Sequence, residues 1–154
     1  MDELVTALKA LFEANMAAGF SFCYGENLVP ERFKLPLVEV IPETTEMEIK
    51  GTGGSRIYKH TVTIQVKVDI KDFLKSNADV SVISHMQYLV QTMEAKDGSG
   101  VPLATTVLGI INNNLTASSS VQLLNLSNIT YRETPYGESY IALAALSLSA
   151  VKNY

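Results

Sequence analysis

The apolar positions of the first twenty residues recur at helical spacing. Leu4, Val5, Leu8, Leu11, Phe12 and Met16 fall on one stripe, which predicts an amphipathic helix with that stripe turned to a core. Asp2 and Glu3 stand where carboxylates favour the positive end of the helix dipole, and Gly19 supplies a stop. A membrane-surface helix would need a Lys/Arg cluster on the polar face, which this segment lacks. Residues 19–34 read as a loop or irregular segment in which Phe20, Phe22, Cys23, Tyr24 and Phe33 pack down in part.

Strand patterning begins at Leu35. Leu35–Pro42 reads as a first strand bounded by Pro36 and Pro42, because proline suits strand ends better than strand interiors. Glu43–Lys50 is polar and acidic and leads into Gly51-Thr52-Gly53-Gly54-Ser55, whose glycines predict a flexible hairpin tip. A phosphate-cradling loop is the other reading, but the Gly-Lys-Ser/Thr ending and the following helix that it needs are missing. From Arg56 to Ile70 the alternation is strict: Tyr58, His60, Val62, Ile64, Val66, Val68 and Ile70 face one way. Ile57, Lys59, Thr61, Thr63, Gln65, Lys67 and Asp69 face the other, so one face of the sheet is buried and one is wetter. At ~3.3 Å per residue this strand spans ~50 Å, more than a small domain covers. Its first half, with the acidic and glycine-rich stretch, predicts a protruding arm over residues 43–56.

Ser76-Asn77-Ala78-Asp79 matches a capping box, and Val82, Ile83, Met86, Leu89, Val90 and Met93 form the stripe of a second helix ending near Ala95. Lys96-Asp97-Gly98-Ser99-Gly100 breaks it. Leu103–Leu115 has helical spacing but β-branched content, and predicts a short helix. Val121–Tyr131 and Tyr140–Val151 read as strands, with Arg132–Glu138 as the turn that makes them a hairpin. Ala142, Ala144 and Ala145 leave room for a helix or a neighbouring subunit to approach. This order predicts one α+β domain over residues 1–154: a mainly antiparallel twisted sheet, two or three helices packed on one face, and a protruding hairpin arm.

Composition narrows the functional classes. The chain is 47% hydrophobic and 18% charged, which excludes general disorder, and its net charge of −4 disfavours nonspecific nucleic-acid binding through a globally basic surface. No apolar run approaches the ~20 residues of a membrane span, and the acidic start is unlike a secretory signal. The single cysteine, Cys23, has no internal disulfide partner and reads as a small buried hydrophobe. The two histidines, His60 and His85, lie outside any HxxxH or HExxH spacing, so no metal site is expected. There is no GxSxG elbow, and Asp69 and Asp72 among Lys67, Lys71 and Lys75 read as a solvated strand end. No cofactor or catalytic residue is expected. The charge layout carries more: Glu43, Glu46 and Glu48 approach the tip, while Arg56 and Lys59 begin the long strand. Such an arm can pair head-to-tail with the next copy in a ring, although an ordinary mixed-charge surface reads the same way.

The layout as a whole resembles the tail terminator (tail completion) proteins of tailed bacteriophages. The resemblance rests on the opening helix with Leu4, Leu8 and Leu11, the Leu35–Pro42 strand, the acidic arm Glu43–Ser55, the Arg56–Ile70 strand, a helix on the sheet, and the closing hairpin of Ile129-Thr130-Tyr131 and Ile141–Leu148. It implies a non-enzymatic virion protein, assembled in the host cytoplasm. Six copies would form a ring on the head-proximal end of the tail tube, stop its polymerisation and offer a docking surface to the head or neck. The implied partners are other copies of the chain, the tail tube protein and the head or neck connector. DNA would pass through the lumen without specific binding, and no membrane is involved. The expected interface residues are Glu43, Glu46, Met47, Glu48, Gly53, Gly54, Arg56, Lys59, Arg132 and Tyr136. Two other readings remain: a head-to-tail connector ring, and a small-molecule-binding or enzymatic domain with a pocket near His60 or His85.

Overall fold

The computed structural model describes residues 1–24, 34–50, 55–70, 85–114, 116–118, 121–137 and 139–153. Among the described residues three helices, α1 (Asp2–Asn15), α2 (His85–Glu94) and α3 (Val107–Asn113), accompany seven strands. The strands are β1 (Ser21–Tyr24), β2 (Leu37–Lys50), β3 (Ser55–Asp69), β4 (Thr116–Ser118), β5 (Val121–Leu126), β6 (Thr130–Tyr136) and β7 (Ser139–Asn153). They form one mixed sheet in the order β1-β2-β3-β7-β5-β4, with β6 also paired to β7. Among the described residues only β1 and β2 run parallel, and the other strand pairings are antiparallel. The architecture is an α+β single domain.

The alternation read from the sequence sets the faces. Val62, Ile64 and Val66 of β3 are fully buried, and their partners across the register are Val40, Val38 and the β7 residues Leu148, Leu146 and Ala144. Leu4, Val5, Leu8 and Phe12 of α1, Leu89 and Met93 of α2, and Val107, Ile110 and Ile111 of α3 close on this same face. Burying each such aliphatic side chain stabilises the fold by roughly 1.5–3 kcal/mol. Ala142, Ala144 and Ala150 are buried there too, and their small side chains admit the helix layer. In α2, Val90 is exposed although it belongs to the apolar stripe, because Leu89 and Met93 already fill the contact with the sheet. The expected capping box at 76–79 lies outside the described residues.

Several boundaries differ from the sequence reading. Ser21–Tyr24, expected to be irregular, forms β1 by adding in parallel to Leu37–Val40. The first strand does not stop at Pro42 but continues to Lys50. Proline is tolerated there because the register slips between Pro42 and Thr44, making a bulge on a strand edge that β1 does not reach. Leu103–Leu115 contributes a helix only over Val107–Asn113. Thr106 caps it, its hydroxyl accepting from Gly109 N at 3.1 Å and donating to Leu103 O at 2.7 Å.

The largest difference is in the closing hairpin. Arg132–Tyr136, expected to be a turn, is strand β6, and the chain reverses after Tyr136, beginning at Gly137, whose φ of 61° suits glycine. The strand expected over Val121–Tyr131 is broken instead into β5 and β6. Between Leu126, opposite Leu148, and Thr130, opposite Ala145, one strand carries an extra residue. Ser127 bridges the break: its N–H donates to Ser147 O at 2.8 Å, and its Oγ accepts from Ser147 N at 2.7 Å. A side-chain oxygen replaces the missing ladder carbonyl, so β5 and β6 act as one kinked strand along β7.

The second face is not uniformly wet. Leu37, Glu39, Lys67, Ile141 and Leu143 are buried on the side away from the helices. Lys67, read as part of a solvated strand end, donates to Glu39 Oε2 at 2.5 Å in a buried ion pair. The two face each other because Leu37 pairs with Lys67 and Glu39 with Gln65, which puts Glu39 diagonal to Lys67 on one face.

Candidate interaction surfaces

The arm expected over 43–56 is the continuation of the β2–β3 ladder, paired from Thr44 opposite Thr61 to Lys50 opposite Ser55. Strand β7 flanks it as far as Asn153 opposite Ile57, so the ladder outruns the helix layer more than it outruns the sheet. Beyond the bulge its two faces differ in chemistry. The face continuous with the core carries Met47 opposite Tyr58 and Ile49 opposite Arg56. Met47 is 54% exposed and Ile49 61%, large values for apolar side chains on the core side of a sheet. The opposite face carries Glu46 across from Lys59, and Glu48 across from Ile57. Glu46, Glu48, Arg56 and Lys59 are all exposed. Glu43, the extra residue of the bulge, accepts a hydrogen bond from Thr63 Oγ1.

The structure therefore brings Glu43, Glu46, Met47, Glu48, Arg56 and Lys59 together on one ladder. Gly53 and Gly54 lie outside the described residues. Arg132 and Tyr136 are not part of this patch: they lie in β6, across β7 from the other end of β3. Arg132 pairs with Leu143, which pairs with Lys67, eleven residues along β3 from Arg56. At ~3.3 Å per residue the two groups stand about 36 Å apart along the strands. The expected interface residues thus fall on two separate parts of the sheet.

The β6 strand is tied to the helix layer by two polar contacts. Tyr131 Oη donates to Glu94 Oε1 at 2.6 Å, and His85 Nε2 stands 2.5 Å from Glu133 Oε1. Burial and the adjoining Glu94 carboxylate raise the Tyr131 phenol far above its ordinary value. Glu133 and Tyr131 share the helix-covered face with their partners Ala142 and Ala144, whereas Arg132 points to the opposite face and is exposed.

Both histidines meet polar partners. His60 is buried where the helix layer ends, with Thr45 Oγ1 at 2.9 Å from Nδ1 and the Met1 α-ammonium at 3.4 Å from Nε2. Burial, then the α-ammonium and then Lys152 lower its pKa, so the neutral ring is favoured. A groove of about 430 Å³ lies elsewhere, between the end of α1, α2 and the entry to α3, with Met16, Phe20, Tyr88, Gln91 and Leu103 in its lining. Two of its threonines are committed: Thr92 Oγ1 donates to Tyr88 O, and Thr106 caps α3. Among the described residues no group of three His, Cys, Asp or Glu is placed to hold a metal ion, and no helix is long and apolar enough to cross a membrane. Comparison of the chain with protein-family models finds no match, and comparison with curated protein sequences finds none either.

Proposed function

We propose that the chain is a structural virion subunit of the tail terminator type. Copies of it form a ring at the head-proximal end of a phage tail tube, end tube polymerisation and present a docking surface to the head or neck. The observation that carries this reading is the β2–β3 ladder, with exposed Met47 and Ile49 on one face and Glu46 and Glu48 on the other. An apolar strip rimmed by charge suits a protein partner, and it stands outside the helix-covered core, so engaging it leaves the fold intact. The resemblance in element order supports the same reading. The net charge of −4 suits a lumen that lets DNA pass without gripping it.

Deleting Met47–Ser55 tests the proposal. It leaves Arg56–Tyr58 as a three-residue connection between Glu46 and Lys59, which face each other in the native register, so the shortened hairpin can close. The variant should retain its far-UV circular dichroism and cooperative melting but lose the capacity to cap tail tubes, with overlong tubes seen by electron microscopy. Native mass spectrometry of the intact chain should show a closed ring of six. A deletion variant that limits tube length normally would overturn the assignment.

A further inference from the structure

We infer that copies of this chain join edge to edge, the β2 edge of one copy adding to the β6 edge of the next. This deepens the ring reading and rests on it for the identity of the partner. Among the described residues, the sheet has two long unpaired edges. One is the outer side of β2 beyond Val40, where β1 ends; the other is the outer side of β6, which pairs only with β7. Both edges contain a proline, Pro42 and Pro135, as outer strands permit. Open edges carry rows of backbone donors and acceptors that another strand can satisfy.

Face parity and charge choose the partner edge. Glu46 and Glu48 lie on the face away from the helices, as does Arg132 on β6. When one sheet continues into the next with its faces aligned, Arg132 of one copy falls beside Glu46 and Glu48 of its neighbour. None of the three makes an ion pair among the described residues, so each enters the contact uncommitted. On the other face, Met47 and Ile49 come beside the neighbour's helix layer, where Val90 is exposed. Pairing β2 with β2 about Met47 sets Glu46 against Glu48 in both copies, a like-charge contact that disfavours the two-fold arrangement. Two different edges give a heterologous contact, the kind that generates rings. Pro135 confines the shared ladder to Thr130–Thr134, because its nitrogen has no hydrogen to donate.

Charge exchange tests the pairing by sedimentation velocity and native mass spectrometry. All substitutions are at exposed positions, and unchanged circular dichroism and melting temperature confirm folding. Glu46→Lys/Glu48→Lys and, separately, Arg132→Glu should each weaken assembly by about tenfold or more, since like charges then meet across the edge. The triple variant, with all three substitutions in one chain, restores complementarity and should recover assembly. Mixing the two one-sided variants should also recover assembly, with the two alternating, because the substituted edges of one complement the substituted edge of the other and their native edges complement each other too. If Glu46→Lys/Glu48→Lys assembles as the parent does, the edge pairing is overturned while the ring reading stands. If the parent chain stays monomeric throughout the concentration series, the edge pairing also fails, and the tube-capping assay then decides the ring reading separately.

Discussion

The buried pair of Lys67 and Glu39 offers a sharp test of what holds the second face of the sheet. The two charges are 2.5 Å apart, with their side chains only 8% and 3% exposed. At an effective dielectric of about 20, their gross attraction is about 7 kcal/mol. Withdrawing each ion from water costs several kcal/mol, so the two effects nearly cancel and the intact pair contributes little net stability. Lys67→Met keeps the length of the stem and strands a buried carboxylate, and should cost about 3–5 kcal/mol; Glu39→Leu removes the carboxylate that Lys67 meets, and the double variant should lie near the parent or above it. Urea unfolding followed by circular dichroism, with unchanged m values, measures all four corners of the cycle. The expected signature is a coupling of several kcal/mol. Single substitutions that cost less than about 1 kcal/mol, as for exposed pairs, would refute the argument. So would a double variant whose loss equals the sum of the singles.

Three further outcomes follow from local geometry. The pKa of His60 is lowered in the fold, so between that value and the ordinary 6.5 the unfolded chain binds more protons; stability should be full above about pH 6.5 and decline below it. Urea midpoints over pH 5–7.5 should show that slope, and His60→Gln should flatten it. Tyr131→Phe removes the O–H donated to Glu94 and should lower stability by about 1–2 kcal/mol in thermal melts. Because the Tyr131 phenol is raised, its contribution is full below about pH 10 and declines above it, and Tyr131 should resist ionisation in an alkaline ultraviolet titration, together with Tyr88, whose phenol burial also raises. Gly109→Ala should destabilise by about 1–3 kcal/mol despite alanine's better helix propensity, because a Cβ there collides with the Leu103 carbonyl. A thermal melt that shows Gly109→Ala more stable than the parent would refute the packing of α3 against residue 103.

Local pattern made much of the fold legible. The stripe of α1 and the alternation of β3 each follow from a period that burial then enforces, and both stand where the pattern put them. What it missed was set by neighbours in space. Ser21–Tyr24 becomes a strand only because β2 offers it an edge. Arg132–Tyr136 has the Pro and Gly of a turn, yet β7 extends far enough to pair it residue for residue. Lys67 looks solvated by its place in the alternation, but Glu39, twenty-eight positions earlier, meets it in a covered corner of the sheet.

The candidate surface shows the same division more sharply. The acidic arm was legible because its residues are contiguous: Glu43, Glu46, Met47 and Glu48 lie on one strand and share one hairpin with Arg56 and Lys59. In the sequence, Arg132 opens a stretch rich in turn signals, with nothing to relate it to the arm. Its relation to the arm depends on three facts that exist only once the sheet is built. Strand β6 is an outer strand, Arg132 shares its face with Glu46 and Glu48, and the two open edges lie at opposite ends and opposite sides of one sheet. That geometry makes the distance between them informative. Within one molecule, Arg132 stands roughly 26–33 Å along the strands from Glu46 and Glu48, so their charges are screened from one another at physiological salt and their complementarity has no intramolecular use. Between molecules the same separation is what a head-to-tail contact requires, since each copy must present one edge while accepting the other. Assembly should accordingly weaken as salt is raised.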